Sequence, residues 1–153
     1  MKLTSVYFSA TFTTRSVVNY VSRRLSDQVT EYDITNDAST DEVLLAADEV
    51  LVVGIPVYAG RVPVMAVDRI RRFKGKGSRA VAIAVYGNRH YDDALLELSD
   101  ILSENGFQVI SAGAFLAQHS IFPKVGANRP DKDDFLQMDA FAGETCKILQ
   151  KGN

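Results

Sequence analysis

Two apolar runs constrain this chain more than anything else in it. Residues 49–55 read EVLVVGI and residues 80–86 read AVAIAVY. Neither run alternates polar with apolar residues. A strand of that kind has no face to give to water, so it belongs in the middle of a parallel sheet with helices on both sides. Pro56 closes the first run, because proline has no N–H to donate to a ladder.

The rest of the chain supplies the flanking elements. Residues 3–8 predict a further buried strand, and Val17, Val18, Val21 and Leu25 follow it at helical spacing. Residues 29–34 are short and alternating, which suits a sheet edge. Ser39-Thr40-Asp41-Glu42 has capping-box spacing and predicts a short helix through Val43, Leu44 and Ala47. Pro63 fits the first turn of the next helix, which carries Ala66, Ile70 and Phe73. Gly75 and Gly77 break the chain before the 80–86 strand. A helix over 92–104 places Ala94, Leu95, Leu98, Ile101 and Leu102 on one face, and Asn105-Gly106 stops it. A fifth strand covers 107–117, a loop without periodicity covers 118–130, and a last helix starts near Asp131. That helix is expected to bury Phe135, Met138, Phe141, Ala142, Ile148 and Leu149. Strictly alternating strands and helices imply an α/β three-layer sandwich forming one domain over residues 1–153. Five strands suit a parallel sheet of order 2-1-3-4-5.

Composition removes several function classes. The formal net charge is −2 and gives no global field for nucleic acid or an anionic membrane. The single cysteine, Cys146, excludes a disulfide framework or cysteine metal cluster within the chain. No apolar run has the length of a membrane span and no signal-peptide pattern opens the chain, so a cytoplasmic location is expected. Charge is nevertheless segregated. Residues 27–49 hold eight acids and no Lys or Arg, whereas residues 61–79 hold seven bases against Asp68 alone. Such a dipole either steers a partner or forms two solvated faces.

In a 2-1-3-4-5 sheet, ligands bind beyond the carboxyl ends of the strands, where the chain order reverses. Three loops converge there: 9–14, 56–61 and 86–92. The first, Ser9-Ala10-Thr11-Phe12-Thr13-Thr14, puts four hydroxyls where a strand hands over to a helix N-terminus. The N–H groups and dipole of that terminus attract an anion, most naturally a phosphate. Helix capping alone would need one such residue. The other two loops carry glycines and the aromatics Tyr58 and Tyr91, ring faces on which a flat ligand could stack. His90 could touch ligand or solvent, solvent being favoured, and His119 could reach the rim of a ligand or, the favoured reading, hold the following loop by a hydrogen bond. Neither has the neighbours of a metal site. Asp92-Asp93 reads as the acidic first turn of a helix rather than a catalytic pair.

These motifs together resemble the flavodoxin family. The pattern Ser9-x-Thr11-x-Thr13-Thr14 is similar to its phosphate loop. Residues 56–63 (PVYAGRVP), 86–95 (YGNRHYDDAL), His119-Ser120 and Arg129-Pro130-Asp131 resemble the flavodoxin half of bacterial and archaeal flavodoxin–ferredoxin fusions. The resemblance implies FMN as cofactor and electron transfer as function. It implies that Ser9, Thr11, Thr13 and Thr14, with the backbone from Ala10 through Phe12 to Thr14, hold the phosphate. Pro56, Val57, Tyr58, Ala59 and Gly60 would line one side of the isoalloxazine, with Tyr58 stacking and the Ala59-Gly60 backbone near the flavin N5. Tyr86, Gly87, Asn88, Arg89 and Tyr91 would cover the pyrimidine side. No catalytic acid or base is needed. The implied partner is a redox protein such as an iron–sulfur ferredoxin, with the chain a monomer or weak dimer. Three departures stand out: Phe12 replaces a family glycine, no Cys-rich segment lies within the chain, and the charge is nearly neutral where electron carriers are acidic. They leave two alternatives, an FMN-dependent NAD(P)H reductase and a module of the same fold that has lost FMN.

Overall fold

The computed structural model of the chain describes residues 1–9, 13–86, 92–116 and 132–151. In chain order its elements are β1 (Lys2–Tyr7), α1 (Thr13–Leu25), β2 (Gln28–Asp33), β3 (Val43–Leu44), β4 (Val50–Pro56), α2 (Val64–Arg71), β5 (Phe73–Lys74), β6 (Ser78–Tyr86), α3 (Asp92–Glu104), β7 (Phe107–Leu116) and α4 (Lys132–Lys151). The main sheet has the order β2-β1-β4-β6-β7, and every pairing in it is parallel. Counting its five strands alone, this is the expected 2-1-3-4-5.

The two apolar runs lie at the centre of the sheet. Every residue of β4 is buried, and so are residues 80–85 of β6. Successive side chains point to opposite faces, and the core divides accordingly. Val50 and Val52 pack with Val17, Val18 and Val21 of α1 and Met138 of α4. Leu51, Val53 and Ile55 pack with Ala66 and Ile70 of α2 and Leu98 and Leu102 of α3.

Three local expectations are corrected. Residues 39–47 form no helix. Asp37 accepts the Ser39 N–H (2.9 Å) and Ser39 Oγ accepts the Asp41 N–H (3.3 Å), so the presumed cap makes tight turns instead. Beyond them the Val43 and Leu45 N–H groups bond to the Arg72 and Lys74 carbonyls, and β3 pairs with β5 in a two-stranded parallel ladder. Partners distant in the same chain thus outcompete the local helix signal. Second, Phe73 lies just past α2, buried in β5. Third, Ile148 is exposed, and Thr145 takes a buried position on α4, its hydroxyl 2.8 Å from that of Ser111. The predicted loop 118–130, with His119, and the start of the last helix at Asp131 lie outside the described residues.

Glycine decides how closely α1 approaches the sheet. A Cβ at Gly54 would stand 2.1 Å from Val18 Cγ2. Gly54→Ala is therefore expected to destabilise the fold by about 2 kcal/mol. Gly143, inside α4 with nothing within 4 Å of an added Cβ, gives the control: Gly143→Ala should be neutral or stabilising by up to about 1 kcal/mol. Urea denaturation of both variants checks the pair.

Candidate functional site

The carboxyl ends of β1, β4 and β6 lie side by side. Tyr7 pairs with Gly54, Gly54 with Ile83, and Pro56 with Val85. The chain leaves β1 for β2 on one side, and β4 lies on the other. The crevice expected at such a reversal is therefore bordered by the carboxyl ends of β1, β4 and β6.

The first segment is tightly tied. Phe8 N–H donates to the Gly54 carbonyl (3.2 Å) and Ser9 N–H to Thr35 Oγ1 (2.8 Å). Ser9 is buried, and its Oγ accepts the Arg15 N–H at 3.2 Å. It therefore serves the first turn of α1, whose leading N–H groups have no partner inside the helix. Thr14 is also buried, its methyl turned toward Gly54, and Thr13 is half-buried at the start of α1. Ala10, Thr11 and Phe12 lie outside the described residues, as do Gly87, Asn88, Arg89, His90 and Tyr91.

The second segment is a tight reversal. Tyr58 N–H donates to the Arg61 carbonyl (3.0 Å) and Arg61 N–H to the Tyr58 carbonyl (2.9 Å). Ala59 and Gly60 between them have φ of 51° and 78°. Positive φ at both central residues defines a type I′ turn, which glycine enters freely and alanine only at a cost of roughly 1 kcal/mol. Ala59 is exposed, and a Cβ at Gly60 would meet nothing within 4 Å. Val57 N–H donates to the Val85 carbonyl (3.0 Å), fixing one arm of the turn to β6. Tyr58 and Tyr86 are half-buried and pack on the α2–α3 side of the core. Beyond the turn Pro63 caps α2, and Val64 and Met65 stand exposed on its first turn.

The structure adds residues that the sequence did not single out. Glu97 of α3 accepts Arg61 Nε (3.0 Å), Arg61 Nη2 (2.9 Å) and the Val62 N–H (3.0 Å). The hydrogen bond from Arg61 holds its carboxyl below the usual carboxylate range. Thr35 holds Ser9 from the segment after β2. Both partners are more than 25 residues distant in sequence, and no local spacing signals them.

The basic stretch 61–79 is largely committed to internal contacts. Arg69 donates to the Ile34 and Thr35 carbonyls, Arg71 pairs with Glu104 at 2.9 Å, Arg72 pairs with Asp37 at 3.0 Å, and Arg79 donates to the Leu149 carbonyl. The charge segregation in the sequence is in part the two halves of these contacts. No group of His, Cys, Asp and Glu among the described residues could hold a metal ion. No helix among them is long and apolar enough to cross a membrane. A cavity of about 700 Å³ opens at the other end of the sheet, by Lys2, Arg79 and Gln108 at the strands' amino ends. It lies away from the converging loops.

In overall shape the chain is similar to solved flavodoxins. It matches a flavodoxin from the domain Archaea with a TM-score of 0.62 at 13% identity, over 98% of this chain and 99% of that one. It matches a WrbA-like flavodoxin from Agrobacterium tumefaciens with a TM-score of 0.65 at 10% identity, over 99% of each chain. A flavoprotein of Lactobacillus acidophilus, solved in complex with FMN, matches with a TM-score of 0.54 at 10% identity, over 74% of this chain and 92% of that one. No protein-family model and no curated protein sequence matches the chain. The fold is flavodoxin-like.

One buried group beside the crevice makes stability depend on pH. Tyr7 lies under α1 with its hydroxyl donating to Glu31 Oε2 (3.2 Å). Burial first, then the Glu31 and Asp33 charges, pushes its pKa up to about 12. The unfolded chain releases this proton near pH 10. Its contribution to stability is therefore complete below about pH 10 and lost as pH rises toward 12. Urea midpoints measured across that window should fall for the wild type and fall less steeply for Tyr7→Phe.

Proposed function

We propose that this protein binds FMN at the crevice beyond β1 and β4 and passes electrons to and from a redox partner. The observation that carries the proposal is the pairing of two unlike structures at that edge. One is the hydroxyl-bearing start of α1, suited to a phosphate. The other is the exposed type I′ turn at Ala59-Gly60, where a Cβ built at Gly60 meets nothing within 4 Å.

The donor set fits the group. Thr13 and the first N–H groups of α1 are neutral donors that suit a phosphate dianion, and Thr11 extends them in sequence. Ser9 orders this terminus by accepting the Arg15 N–H, and its own hydroxyl proton can still be donated. Thr14 backs the helix against Gly54. Tyr58 and Tyr86 border the ring's place, with Gly87, Asn88, Arg89 and Tyr91 following Tyr86 in sequence. FMN supplies the redox chemistry when bound, accepting or giving one or two electrons. The chain's task is to hold the phosphate, orient the ring and set the polarity around it. One solved protein of this fold, the L. acidophilus flavoprotein, is in complex with FMN, which supports the reading.

The partner is a separate redox protein, an iron–sulfur ferredoxin being the kind the sequence resemblance implies. Val64 and Met65, exposed beside the turn, offer it an apolar contact. The reductase alternative draws no support from the basic stretch, since Arg69, Arg71 and Arg72 are engaged within the chain.

Titration with FMN tests the proposal. Protein should quench flavin fluorescence at micromolar concentration and come away yellow. Thr13→Ala should weaken FMN about tenfold, from ~1.5 kcal/mol for a hydrogen bond to a charged group, and leave riboflavin, which has no phosphate, unchanged. No quenching by the wild type overturns the proposal.

A further inference from the structure

We infer that Glu97, 36 residues from Arg61 in sequence, is a positioning residue for the flavin-facing turn. Through Arg61 and Val62 it governs how the bound flavin divides between its oxidised and reduced forms. This rests on FMN lying at the Ala59-Gly60 turn, as proposed above.

The geometry is specific. One carboxylate collects three N–H groups: both arms of the Arg61 fork and the backbone of Val62. Paired forks of this kind fix direction as well as distance. Glu97 is the inner member, its side chain 23% exposed against 64% for Arg61. Arg61 acts twice. Its backbone closes the turn onto Tyr58, and its side chain is locked to α3. Val62, the next residue, is held by the same carboxylate. On the other arm, Val57 is held by Val85.

Ala59 and Gly60 thus stand between two fixed points, in a conformation alanine does not choose for itself. Unfavourable φ persists where the surroundings over-determine it. The Glu97 contact ties the turn after β4 to α3, the helix that follows β6 in the chain. A turn free to relax would present its peptide groups differently to a ring whose charge changes on reduction. A turn held from α3 cannot, so the hold itself helps set the ratio in which the two redox forms are bound.

A second bridge gives the control. Arg71 pairs with Glu104 at 2.9 Å and also joins α2 to α3, but at the far end of both helices from the turn. A role confined to holding α2 against α3 would belong to both bridges equally.

Three variants are compared with the wild type: Glu97→Gln, Arg61→Lys and, as control, Glu104→Gln. Affinity is measured for oxidised FMN and for FMN reduced with dithionite, and amide hydrogen exchange is followed in ligand-free protein. Glu97→Gln and Arg61→Lys should each change the ratio of the two dissociation constants at least threefold. They should speed exchange at Val62 about tenfold while the β4 and β6 amides keep their protection. Glu104→Gln should do neither. If Glu97→Gln does not fold, Arg61→Lys, which keeps the charge and removes the fork, decides alone. A ratio within twofold of wild type, or an equal change in Glu104→Gln, overturns the positioning role and leaves FMN binding standing. Wild-type protein that takes up no FMN overturns both.

Discussion

The burial of β4 and of residues 80–85 of β6 is the constraint from which the rest of the structure follows. Two strands without a polar face must be covered above and below, so α1 and α4 close one side and α2 and α3 the other. Nothing in the interior of such a sheet can meet a polar ligand. Chemistry is left to the strand ends, and of the two ends the carboxyl one is where the following helices turn their N–H groups outward. The region around Ser9 and the turn at Ala59-Gly60 are placed there by the sheet before any residue in them is chosen.

The polar residues near that edge form a graded set of supports. Thr35 holds Ser9, and Ser9 holds the first turn of α1. Glu97 holds Arg61 and Val62. Each support comes from a different element, so the loops are braced from outside rather than by their own sequence.

What could be read from the sequence, and what could not, follows the range of the interactions. The apolar runs, the glycine at 106 (φ 91°) and the helical stripe of α3 act over a few residues, and they located the central strands and the helix that follows them. The failures came where a distant partner won. Ser39-Thr40-Asp41-Glu42 has the spacing of a helix start, yet Val43 finds the Arg72 carbonyl instead. Phe73 continues the α2 stripe but is drawn into the β3–β5 ladder. The basic stretch looked like an exposed face because Asp37, Glu104 and the carbonyls of residues 34 and 35 lie far from it in sequence. Glu97 carried no signal for the same reason. Of the candidate site, Ser9, Thr13, Thr14, residues 56–60 and Tyr86 border one edge, and the remaining predicted residues fall outside the described segments.

The absent helix after β2 has a consequence for how the chain assembles. Residues 34–45 are kept in place chiefly from outside: Arg69 ties down the carbonyls of Ile34 and Thr35, Arg72 that of Ser39, and β5 pairs with β3. A helix can begin to form on its own hydrogen bonds, but this crossover has only single turns until α2 is docked. Its closure is a long-range event, set by side-chain contacts 33 to 35 residues apart in sequence. The arginines that close it succeed because a planar fork can serve several carbonyls and a carboxylate at once, which the point charge of a lysine cannot.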